Sequence, residues 1–198
     1  MENNQTMEMK RCVEDYEVNP YTMAIVPLQS GRKIYSIVLE KDEEIIVKMK
    51  PLDIVDRSCR YFGSSYKGRK EGTRELMGIT HKPPIIVEPS HQIFLFPTVS
   101  PTSADCTWLS HSHIYSHSTA GNGTTKITFQ NKKSMHVNIS KGSFENQFFQ
   151  TAQLRTIITS RMENKDSNKD SRKTNGEEVI FEYLFDEKKY RIDEKTLF

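Results

Sequence analysis

Apolar residues in this chain arrive in short bursts separated by turn formers, and the spacing inside each burst separates strands from helices. Tyr16 to Pro27 and Lys33 to Met49 are rich in Val, Ile and Tyr, with Gln29-Ser30-Gly31 between them, which predicts a strand, a turn and then two strands around Lys41-Asp42. Pro51 suits a first helical position, and Leu52, Val55, Cys59 and Phe62 follow at i, i+3, i+7 and i+10 on one helical face. Asp53, Asp56, Arg57 and Arg60 fall on the opposite face, so two arginines are expected in solvent about one turn apart. This helix should span 51–62 and run out at Gly63. The segment 63–72 holds Gly63, Gly68 and Gly72, too much glycine for a stable helix or strand interior, and reads as a flexible cationic loop.

Beyond the loop, Pro83 to Val99 is Ile/Phe-rich but broken by Pro83, Pro84, Pro89 and Pro97, which predicts short or edge strands. Trp108 to Tyr115 and Lys126 to Ile139 alternate, the second with Asn131-Lys132-Lys133 as a hairpin turn. Ser143 stands as the cap of a helix over 143–162, with Phe144, Phe148, Ala152, Ile158 and Met162 near one face. From Glu163 to Glu178 there is no apolar residue, which is a linker composition. The expected organisation is a polar leader over 1–13, an α+β domain over 14–162 with a mostly antiparallel sheet and two main helices, a disordered linker over 163–178, and a docking or regulatory segment over 179–198.

Composition narrows the function classes. The longest apolar runs, Ile85-Ile86-Val87 and Ile93-Phe94-Leu95-Phe96, fall far short of the roughly 20 residues that cross a bilayer. The polar start and the three widely spaced cysteines, Cys12, Cys59 and Cys106, imply a reducing cytosol with no disulfide framework. The net charge of +2 argues against a polycation, but it averages over unlike segments. The first fifty-six residues are net acidic. Residues 57–74 carry Arg57, Arg60, Lys67, Arg69, Lys70 and Arg74 against Glu71 alone. A local basic segment suits an anionic partner, because Lys and Arg on phosphates supply most non-specific nucleic-acid affinity. Charge alone leaves a merely solvated loop equally open.

Catalytic readings are weak. Gly63-x4-Gly68-Arg69-Lys70 displaces the Walker A lysine by one position and follows it with Glu71 in place of Ser or Thr. Cys106, His111, His113 and His117 lie close in sequence, and His111 and His113 would share a strand face, but a structural zinc site draws on paired ligand sets and there is no CxxC. Cys59 reads as core on an apolar helix face, and no GxSxG elbow occurs. The chain is therefore read as no enzyme, with no metal or other cofactor. The basic segment carries the binding chemistry: Arg57, Arg60, Lys67, Arg69, Lys70 and Arg74 for phosphates, Ser64 and Ser65 as hydrogen-bond donors, and glycines for close approach. A slender Gly/Ser arm of this kind suits a narrow A·T-rich minor groove. Arg155 is a second candidate contact or a structural anchor. The rival class is an interaction module whose basic loop binds an acidic protein partner.

The block MKPLDIVDRSCRYFGSSYKGRKEGTRELMGITHKPPIIVEPSHQIFLFP over 49–97 resembles the ComK family of competence transcription factors. Cys106-x-Trp108-x-Ser110-His111-x-His113, Ser143-Phe144-Glu145-Asn146-Gln147 and Thr151-Ala152-x-Leu154-Arg155-Thr156 match the same family, and the likeness spans about 14–162. The resemblance implies a DNA-binding activator of DNA-uptake genes in a Bacillus-type bacterium, acting in the cytoplasm at the nucleoid. It implies recognition of paired A/T-rich boxes through the minor groove, by dimers that assemble to tetramers. It also implies capture by a MecA-type adaptor and delivery to a Clp protease through the C-terminal region. There the sequence departs: the Phe-Met-Leu-Tyr-Pro-Lys type segment is absent, and either Val179 to Phe185 is a divergent equivalent or this regulation differs. The resemblance does not pick out the DNA-reading residues, which rest on the charge argument. A near-neutral chain with one basic segment is expected to gain affinity by engaging adjacent sites as an oligomer.

Overall fold

The computed structural model describes residues 11–170, with side chains through Glu163. The leader's first ten residues, the rest of the expected linker from 171 and the segment 179–198 lie outside the described residues. Within the described residues, ten strands and three α-helices follow in the order β1 (Arg11–Val13), β2 (Thr22–Ser30), β3 (Lys33–Glu40), β4 (Glu44–Val47), α1 (Pro51–Tyr61), α2 (Tyr66–Met77), β5 (Ile85–Glu88), β6 (Ile93–Pro97), β7 (Trp108–Ser110), β8 (Ile114–Thr119), β9 (Thr125–Phe129), β10 (Ser134–Val137) and α3 (Lys141–Asp170). The fold is α+β and mostly antiparallel. Seven strands form one sheet in the order β1-β4-β3-β2-β7-β6-β5, and β10-β9-β8 form a second. Among these strands only β1 and β4 pair in parallel.

Alternation along the central strands divides the core into two sides, as a pleated strand requires. On β6, Ile93 and Leu95 face one way while Phe94 and Phe96 face the other; Val38, Ile85, Val87 and Trp108 join the first side. That side is closed by α1, through Ile54, Val55 and Cys59. The opposite side is closed by the small sheet and by Phe144 of α3, over Ala24, Phe96, Leu109, Ile127 and Phe129. Further along α3, Leu154 and Ile158 meet Ile86, Phe94 and the end of α2 at Leu76 and Met77.

Several expectations are corrected by the structure. The glycine-bearing segment from Tyr66 onward is a helix, not a flexible loop. The Ser65 hydroxyl accepts from the Gly68 N–H at 3.1 Å as an N-cap, and Asp56 Oδ1 accepts from the Tyr66 N–H at 2.9 Å. Thr73, buried at the middle of α2, donates to Pro84 O at 2.8 Å. Caps and tertiary anchors thus outweigh the roughly 1 kcal/mol that each helical glycine costs, and Gly78 at φ +70° ends the helix.

The proline-rich stretch gives two short strands as expected, β5 at the sheet edge and β6 inside the sheet and buried throughout. Its prolines stand at strand ends and turns, so the ladder loses no interior donor. The strand expected through His111 and His113 stops at Ser110, and His111–His113 form a 3-10 turn leading into β8. The cap of α3 is Ser140, whose Oγ accepts from the Ser143 N–H at 3.2 Å, so the helix starts two residues before Ser143. Its buried face runs through Phe144, Gln147, Thr151 and Leu154, while Met162 is exposed. The helix continues to Asp170, past the Glu163 at which composition marked a linker.

Candidate nucleic-acid interface

The basic segment folds into the end of α1, a short connection and α2, and packing sorts its charges into two groups. The arginines of α1 are occupied. Arg57 bonds Glu17 at 2.7 Å and Asp15 at 3.1 Å, and Arg60 bonds Asp56 at 2.7 Å. Burial works to raise the Asp56 carboxyl, but the bonds from Arg60 and the Tyr66 N–H outweigh it and hold the group below the usual carboxylate range. The acidic flank at 14–17 was the available sign that Arg57 would be neutralised in place.

Arg69 turns inward. Its Nη2 donates to Val87 O on β5 at 3.2 Å, and its Nε is buried with no hydrogen-bond partner among the described residues. It clasps α2 to the sheet edge and does not extend toward a ligand. Ser65 is committed to its cap, and Ser64 is half-buried beneath Gly68, where a Cβ in place of the glycine hydrogen would lie 3.3 Å from the Ser64 hydroxyl. Tyr66 packs edge-on against Trp108 with ring centroids 5.8 Å apart, Phe62 packs against the core, and Tyr61 is exposed.

Lys67, Lys70 and Arg74 remain. All three are exposed, and at i, i+3 and i+7 they form one stripe on the outer face of α2. Of the three, only Lys67 is in an ion pair among the described residues, with Glu71 at 4.0 Å, and an exposed pair of that kind is worth little. The stripe covers about 10 Å of helix axis, comparable to the rise of three nucleotides on one DNA strand. Its spacing is helical in the sequence too, a signal overridden by the count of glycines. Arg155 is structural in its contacts: its guanidinium donates to Gln92 Oε1, in the turn between β5 and β6.

The cysteine and histidine cluster disperses. Burial pushes the thiols of Cys59 and Cys106 up to about 11, so neither is a thiolate at neutral pH. His111 stacks on Phe148 at 4.5 Å, His113 bonds Pro20 O at 2.9 Å, and His117 bonds Glu145 at 3.0 Å. Among the described residues no three His, Cys, Asp or Glu side chains converge on a metal position, and no helix is long and apolar enough to cross a membrane.

Comparison with known proteins supplies the context for the stripe. The family model described as ComK protein matches residues 13–163. The competence transcription factor of Bacillus subtilis (strain 168) is 52% identical over 153 residues, covering 77% of this chain and 80% of that protein. No solved structure matches.

Proposed function

The chain belongs to the ComK family, and from that membership we propose that it is a competence transcription factor that binds duplex DNA through the outer face of α2. The observation that carries this reading is the Lys67/Lys70/Arg74 stripe, whose cations are exposed and at most loosely paired, while Arg57 and Arg60, also exposed, are held in ion pairs and the half-buried Arg69 bonds Val87 O. The helical form of this segment changes the docking. An α-helix with side chains is about 10–12 Å across, whereas the minor groove is about 6 Å wide. The helix therefore lies along phosphates at the groove rim, and long Lys and Arg side chains reach toward the narrow A·T-rich groove, where negative potential is concentrated. Binding to paired boxes as a dimer or tetramer supplies the affinity that one short stripe lacks. The protein acts at the nucleoid in the cytoplasm, as a regulator without a catalytic step.

The test is duplex binding measured across a salt series with Lys67→Gln, Lys70→Gln and Arg74→Gln combined. The slope of log affinity against log salt should fall by about two to three, because each phosphate contact contributes about 0.9. An unchanged slope in a folded variant removes α2 from the interface. A minor-groove ligand should compete, and an A/T-box duplex should outbind a G·C duplex of equal length. Equal weak binding to any polyanion would favour instead an acidic protein as the partner of this helix.

A further inference from the structure

Between Asp105 and Glu145 the sequence contains no carboxylate, while it holds Lys126, Lys132, Lys133 and Lys141. This stretch builds the whole of the small sheet β8-β9-β10. The inner side of that sheet packs Ile127, Phe129 and Val137 into the core. The register aligns the outward residues in two cross-strand rows, Ser116-Thr128-Ser134 and Ser118-Lys126-His136. Every member is exposed except the half-buried Thr128, whose hydroxyl lies 3.1 Å from that of Ser134. Tyr115, 74% exposed, stands beside the rows, and the β9–β10 turn carries exposed Lys132 and Lys133.

We infer that this outward face is a second DNA-contacting surface, one that lies along duplex phosphates. The inference rests on the reading of the protein as a DNA binder but uses different residues from α2. Charge complementarity selects the occupant. Lys48 is paired with Glu14, Lys67 is near Glu71, and Lys141 is paired with Glu145. Lys126, Lys132 and Lys133 have no ion-pair partner among the described residues; the rows around Lys126 offer hydroxyls and an imidazole with a phenol beside them, and Lys132 and Lys133 sit in a turn whose Asn131 donates to Lys41 O at 2.7 Å. A face kept merely soluble mixes both signs of charge; hydroxyl donors around unpaired lysines are the inventory of a phosphate-binding surface. The three strands span about 10 Å, and the two rows lie about 7 Å apart along each strand, enough for a short run of backbone.

Two measurements on the full chain decide it. In the first, Lys126→Gln, Lys132→Gln and Lys133→Gln are combined, and binding to an A/T-box duplex is followed across a salt series. The slope should fall by about two to three. In the second, the wild-type protein is treated with an amine-reactive reagent with and without duplex, and the same three lysines should be protected by DNA. An unchanged slope and unprotected lysines, with the α2 variant still impaired, would overturn this surface and leave the α2 reading standing. A wild-type protein indifferent to duplex DNA would overturn both. Protection by an acidic protein but not by duplex would also sink the inference.

Discussion

Arg57, Arg60 and Arg69 look equivalent to Lys67, Lys70 and Arg74 in sequence, and their surroundings make them different. A carboxylate or carbonyl already occupies the first three, which leaves them less free for a ligand, although the exposed pairs of Arg57 and Arg60 contribute little to stability. Arg69→Ala should cost about 1 kcal/mol through loss of its bond to Val87 O, read as a lower denaturation midpoint, while the salt slope of the folded variant stays close to wild type. The Asp56–Arg60 pair is an i,i+4 spacing on one helix and can be read locally, whereas Glu17 and Val87 approach from segments distant in sequence. Cys59 was legible as core because an apolar helical face is a purely local pattern. His111 reads in sequence as one of a Cys/His cluster on a strand face, whereas the fold holds it half-buried in a 3-10 turn against Phe148. Burial, aided by Arg155, lowers it to about 4, so it is neutral in the fold at neutral pH. The unfolded chain takes up the proton near its ordinary 6.5, so the contribution is complete above that pH and is lost as pH falls toward 4. His113, lowered mainly by burial, adds the same sign. Stability measured from pH 7 to 4 should therefore fall less steeply in His111→Phe than in wild type.

At the scale of elements, strands announced by β-branched alternation and the helix opened by Pro51 follow their sequence patterns closely. The departures are α2, the 3-10 turn and the cap, face and extent of α3, and for α2 the cause lies in contacts distant in sequence. Two interior glycines make 66–77 a poor helix in isolation; Asp56 at its entrance, Pro84 beneath Thr73 and the apolar patch under Leu76 and Met77 make it one in the fold. Gly72 has helical backbone and nothing within 4 Å of where a Cβ would stand. Gly72→Ala should accordingly raise stability by about 0.5–1 kcal/mol, measured by chemical denaturation; a neutral result would speak for a loop. Gly68→Ala should gain less, because its Cβ would press on the Ser64 hydroxyl at 3.3 Å.

For the whole molecule, the net charge of +2 conceals an arrangement in which acids neutralise α1 and leave α2 and the small sheet uncovered. The sequence indicated which segment is basic, but not which of its cations the folded chain consumes. A monomer with few free cations should bind a single box weakly. Sedimentation with duplexes bearing one or two boxes should show assembly of more than one protomer on the paired site, and loss of most affinity when one box is removed. Independent binding to each box would refute the oligomeric reading.

The clasp between α2 and β5 has a consequence for handling and for evolution. β5 ends the seven-stranded sheet, and an open edge is a template on which another chain can add a strand. Arg69 and Thr73 tie α2 to carbonyls at that edge, so the helix proposed to contact DNA also covers it. Changes that loosen α2 should surface first as insoluble protein during expression, seen as a lower soluble fraction than wild type.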